Sequence, residues 1–166
     1  MNTIRLLLAT FERRTNNLVE VVARDACFGQ AVVNCVRTSR IDELFSLATR
    51  HDFDVIIVAP DHLVPEPSRK TSHVAIEESL RTIQRIKNQT GTPVIAVCVP
   101  QGFEIAAIEA GAEIALGLFF KAEALEAEIR RVLNLSQPVQ AAPQIRVSLA
   151  GAFWRALQRF VIPRTQ

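Results

Sequence analysis

Few side chains in this sequence stand at spacings that chemistry could use, and each competes with the structural role its type usually fills. Asp61-His62 offers a carboxylate beside an imidazole, the donors of many metal sites, but no third ligand follows at helical spacing, so the pair reads as loop surface. His51 and His73 stand equally alone. Cys98 closes an apolar run; there a thiol with a depressed pKa would be a nucleophile and an ordinary one a small buried hydrophobe, and the apolar setting favours the second. The stretch Thr10-Phe11-Glu12-Arg13-Arg14-Thr15 could hold a phosphate only through its arginines, because it places acid and bulk where a flavin phosphate needs Ser, Thr and Gly. There is no G-x-G-x-x-G, no P-loop and no G-x-S-x-G. Nucleotide binding and hydrolysis therefore have no motif, and we assign no catalytic residue, no cofactor and no metal; the chain reads as a non-enzyme.

Any positioning of side chains falls to a chain of 166 residues, 49% of them hydrophobic and 22% charged, enough for one compact domain with an appendage. Cys27, Cys35 and Cys98 are odd in number and lack C-x-x-C spacing, which argues for buried thiols over disulfides or a zinc knuckle. No apolar run reaches the ~20 residues of a membrane span, and Ile4 to Ala9 is short for a secretory signal, so the expected compartment is the cytoplasm. The net charge of +2 conceals an asymmetry. From Ile129 to Gln166 there are six arginines and no acid or lysine; subtracting that +6 from the whole leaves −4 for residues 1–128.

Short β-rich runs alternate five times with helical periodicity, the pattern of βαβ units closing into a parallel sheet. Strands are expected over Ile4–Ala9, Ala31–Val36, Asp54–Ala59, Pro93–Val99 and Ala115–Phe119; the third and fourth are near-continuous apolar runs, as central parallel strands require. A first helix, capped by Thr15 or Asn16 and ended by Gly29, is expected to turn Leu18, Val21, Val22 and Ala26 inward. The second spans about Arg40–Arg50, with Ser39 and Asp42 as a variant capping box and Ile41, Leu44, Phe45 and Ala48 on its inner face. Further helices are expected over Ser72–Gln89, Gly102–Ala110 and Ala122–Leu133. Pro60 to Ser72 is long for a βα loop. Residues 135–148 read as a linker, and Leu149–Val161 as a basic amphipathic helix with Phe153, Trp154, Leu157 and Phe160 on its apolar arc.

Three stretches carry a resemblance. Phe53-Asp54-Val55-Ile56-Ile57-Val58-Ala59, Pro93-Val94-Ile95-Ala96-Val97-Cys98, and Gly111-Ala112-Glu113-Ile114 through Glu123, Leu125, Ile129 and Leu133 resemble the third strand, fourth strand and fifth strand-helix unit of response regulator receiver domains of bacterial two-component systems. The resemblance covers about residues 3–133 and implies an α/β fold, a doubly wound, flavodoxin-like, five-stranded parallel sheet in the order 2-1-3-4-5. Receiver chemistry requires an aspartate to accept a phosphoryl group, an acidic pair for Mg²⁺, a hydroxyl and a lysine. The resemblance sets Ala59 at the acceptor position, Ala9 and Thr10 at the acidic pair, Cys98 at the hydroxyl and Leu118 at the lysine. A displaced set of Glu12, Asp61 and Lys121 is disfavoured, because Pro60 constrains the strand exit.

The expectation is thus a degenerate receiver: residues 1–134 as a pseudo-receiver that cannot be phosphorylated, 135–148 as linker and 149–166 as a basic helical tail. It would act in signal transduction by contact with a protein partner or a second copy, possible homodimerisation included. The resemblance places that surface about Phe103 to Leu133, with Phe103, Ile114, Leu118, Phe119, Phe120 and Lys121 as candidates, and the tail residues Phe153, Trp154, Leu157 and Phe160 are candidates beside them. The alternatives are a small-ligand or enzymatic domain using the strand-end crevice, and a nucleic-acid or membrane adaptor; four arginines spread over 146 to 164 argue against the last.

Overall fold

A computed structural model describes residues 2–10, 12–60 and 72–135. The expected linker beyond Leu135, the tail helix with Phe153, Trp154, Leu157 and Phe160, and the loop with Asp61 and His62 lie outside the described residues. The elements alternate as β1 (Asn2–Ala9), α1 (Arg13–Ala26), β2 (Ala31–Thr38), α2 (Ile41–Arg50), β3 (Val55–Val58), α3 (Ser72–Thr90), β4 (Val94–Val99), α4 (Glu104–Glu109), β5 (Ile114–Gly117) and α5 (Ala122–Val132). All strand pairs are parallel and the order is β2-β1-β3-β4-β5, as the resemblance implied.

Alternation along each strand divides the core into two layers. Leu7, Ile56, Val58, Val94 and Ala96 face α2, α3 and α4 through Leu44, Ala48, Ile76, Ile83, Ile86 and Ala107. Leu6, Leu8, Val55, Ile57, Ile95 and Val97 face α1 and α5 through Val19, Val22, Ala23, Leu125 and Ile129. Because β3 and β4 are buried at every position, their sequences must be apolar on both sides. Asp54 precedes β3 and locks it to β1: Arg5 N donates to Asp54 Oδ2 at 2.7 Å, and Asp54 N donates to Arg5 O at 2.9 Å.

Several boundaries differ from expectation for local reasons. Thr15 and Asn16 lie inside α1 and are buried, so neither caps it; the helix starts after Glu12, whose carboxylate accepts from Thr15 Oγ1 at 2.7 Å. Val19, Val22, Ala23 and Ala26 pack inward, leaving Leu18 and Val21 exposed; the small Ala23 and Ala26 let the helix approach the sheet on that phase. At α2 the Ser39–Asp42 box is absent. Thr38 fills the role from one residue earlier, its Oγ1 accepting from Arg40 N at 3.2 Å and donating to Glu43 Oε2 at 2.6 Å, while Asp42 pairs with Arg40. Pairing of β5 ends at Gly117, so Leu118 and Phe119 occupy the following turn and not a strand.

Candidate functional site

Brought side by side by the sheet order, the carboxyl ends of β1, β3, β4 and β5 are where open α/β sheets bind ligands. Ala9 ends β1 with its side chain in the α2–α3–α4 layer, and its carbonyl accepts from Ala59 N at 2.9 Å. Ala59 and Cys98 contribute to the opposite layer. Thr10 is buried: its N–H donates to Thr38 O, and its Oγ1 accepts from Glu12 N at 3.2 Å, which turns the chain into α1. Leu118 is half exposed on the turn after β5. Methyl, hydroxyl and thiol groups thus line the ends of the central strands, and among the described residues no three His, Cys, Asp or Glu side chains come together as metal donors.

Two features of this rim escape sequence reasoning. Asn16 reaches back from α1 and donates Nδ2 to Thr10 O at 3.1 Å, leaving Oδ1 buried with no hydrogen-bond partner. Such a residue reads in sequence as an N-cap, and only the start of the helix distinguishes the two roles. Cys98 sits at φ +53° within β4, where the β4–β5 register shifts between Ala96 and Val99. A non-glycine residue in the left-handed region of a strand marks a bulge, and no pattern in PVIAVCV signals it.

The region expected to meet partners divides by burial. Phe103 packs on the α2–α3–α4 layer, while Ile114 and Phe120 pack on the other, so these three support the core. Leu118, Phe119 and Lys121 are exposed, Phe119 at 96%. Sequence reasoning missed Ile105 and Ile108, which are 74% and 46% exposed on α4 because Ala107 is the residue that faces the core. Their i, i+3 spacing was the available signal. The acids of α4 and the first turn of α5 are Glu104, Glu109 and Glu123, and Glu113 is held below the usual carboxylate range by Lys87 Nζ at 2.8 Å and, more weakly, by Arg131.

No family model and no curated protein sequence matches the chain. Solved structures do. The receiver domain of a Francisella response regulator aligns at TM-score 0.61 and 13% identity, covering 81% of this chain and 99% of that one. The receiver domain of a sensor histidine kinase from Pseudomonas aeruginosa, solved with magnesium in its active site cleft, aligns at TM-score 0.59 and 18% identity, covering 80% and 98%. A protein from Burkholderia thailandensis described as a pilus assembly protein aligns at TM-score 0.57 and 18% identity, covering 79% and 98%. With the strand order and the alternation of elements, these alignments show that the chain has the receiver fold.

Proposed function

We propose that this chain is a pseudo-receiver that works in signal transduction by contact with other proteins and takes no phosphoryl group. The observation that carries the reading is Ala59. A buried methyl group at the end of β3 offers no oxygen to phosphorus, and Ala9 and Thr10 provide no carboxylate for Mg²⁺. What remains is surface: Ile105 and Ile108 on α4 and Leu118 and Phe119 after β5 expose apolar side chains, and the acids of these elements are Glu104, Glu109 and Glu123, a composition suited to an apolar partner with basic groups. Residues 1–134 are the unit that carries it, residues 135–148 a tether, and Phe153, Trp154, Leu157 and Phe160 apolar anchors for a protein partner. Switching in such a molecule comes from a ligand or partner that binds two states unequally.

Acetyl phosphate or beryllofluoride with Mg²⁺ should leave the intact mass and the amide spectrum unchanged. A gain of one phosphoryl group on Asp61 would replace this reading with a displaced acceptor site. A second reading, a small ligand seated at the strand ends, is favoured by the orphaned Asn16 Oδ1, which suits a hydrogen-bond donor. Its test is a ligand screen by NMR, in which hits must shift the Asn16 side-chain amide together with the Thr10 backbone amide.

A further inference from the structure

The two edges of the sheet differ. At β5 the edge is four residues long and its pairing with β4 slips at the bulge. At β2 it is eight residues long, in unbroken register with β1, and free of Pro, Gly and Lys. Thr10 N donates to Thr38 O, so Thr38 turns its backbone groups toward β1, and by alternation Val36, Asn34 and Val32 do the same. Val33, Cys35 and Arg37 therefore turn theirs outward. Ala31 agrees with this phase, since its N–H leaves the ladder to donate to Cys27 O at 3.1 Å. A long row of outward donors and acceptors is a template for another strand, which natural edges blunt with charge, proline or a bulge. The one charge on β2 is Arg37, and it is drawn back over its own molecule by Glu20 of α1, which also holds Arg24.

We propose that β2 is a self-association edge, pairing antiparallel with β2 of a second copy about a two-fold axis at Asn34, so that two five-stranded sheets become one. The backbone row dictates that the occupant is an extended strand, and the side chains select this same strand. About that axis Val33 faces Cys35 and Ala31 faces Arg37 in the hydrogen-bonded pairs, while Val32 faces Val36 and Asn34 faces its own copy in the others. Val32, 49% exposed, gains an apolar neighbour; the Asn34 carboxamides can each donate and accept; Arg37 meets alanine and no like charge. An axis at Arg37 would instead oppose two guanidinium groups.

The test uses the full chain in sedimentation equilibrium. Wild type should dimerise, and Asn34→Lys, which places two ammonium groups face to face from an exposed position, should weaken the dimer at least tenfold with unchanged circular dichroism. Asn34→Cys in a Cys35→Ser background should form an intermolecular disulfide under mild oxidation, because residues opposed at a non-hydrogen-bonded site lie about 4.5 Å apart at Cα. Val32→Cys in the same background, opposed by Val36, should not. A wild-type chain that stays monomeric to about 100 μM, a dimer indifferent to Asn34→Lys, or an Asn34→Cys dimer that resists cross-linking would each overturn the proposal. Failure there leaves the pseudo-receiver reading standing, since that rests on Ala59.

Discussion

Cys35 shows how a single group reports its surroundings. Burial, reinforced by the negative charge of Glu20, pushes its thiol from the ordinary 9.0 up to about 11. A raised pKa means that the folded protein keeps a proton the unfolded chain releases. Stability from this source is therefore complete below pH 9 and declines as pH rises from 9 toward 11. Urea melts across that range should show the decline, and Cys35→Ser should reduce it, the remainder coming from Cys27, which burial also raises; native Cys35 should also react slowly with a thiol reagent at pH 8. Glu20 works in the opposite direction, held below its usual 4.5 by the Arg37 hydrogen bond, so its contribution is present above 4.5 and lost on acidification. Cys98 poses a conformational question instead. Restoring a hydroxyl there as Cys98→Thr would place a β-branched side chain at φ +53°, and we expect a loss on the order of 1–3 kcal/mol in denaturant titrations. Phe119→Ser, on a side chain almost wholly in solvent, should change stability by no more than about 0.5 kcal/mol, so any loss of partner binding reads directly on the interface.

At the scale of elements, α3 and the turn before β5 fit closely at a glycine. Gly111 has φ +103°, and a Cβ there would lie 2.9 Å from Lys87 Cγ, whose Nζ continues to Glu113. Gly111→Ala therefore combines backbone strain with a steric conflict. It should cost more than Gly29→Ala, where φ is +76° but the space is open, by about 1 kcal/mol in chemical denaturation. Elements of this kind explain what could be read in advance. The apolar runs VIIV and VIAVCV are what central strands covered on both faces require, and the glycines at 29, 91 and 111 do end their helices at positive φ. Helix phase was less legible. In α1 the residues Leu18, Val19, Val21 and Val22 satisfy two inward faces equally, and the choice falls to Ala23 and Ala26, which sequence patterning weights little. Caps failed for a related reason: Thr38, Ser39 and Asp42 are all competent oxygens, and only the strand's exit angle picks Thr38.

For the whole molecule, the candidate site was legible as an address and not as a geometry. Doubly wound order sets any ligand site at the strand ends whatever residues stand there, and the resemblance pointed to Ala9, Thr10, Ala59 and Cys98, which do lie at the ends of β1, β3 and β4. The orientation of Asn16 and the bulge at Cys98 depend on tertiary packing, which pattern does not encode. Among the described residues both core layers are built between Ile4 and Leu135. A fragment ending at Leu135 should accordingly melt in one cooperative transition, as measured by circular dichroism; a broad, noncooperative loss of signal would show that the domain boundary lies further on. The sheet order also sets a timetable during synthesis. β1 leaves the ribosome before β2 and β3 and belongs between them, so once β2 has paired, its second side waits for Val55–Val58. At about 5–20 residues per second that wait lasts on the order of seconds, during which Leu6, Leu7 and Leu8 hold an open strand face toward whatever neighbouring nascent chain arrives first.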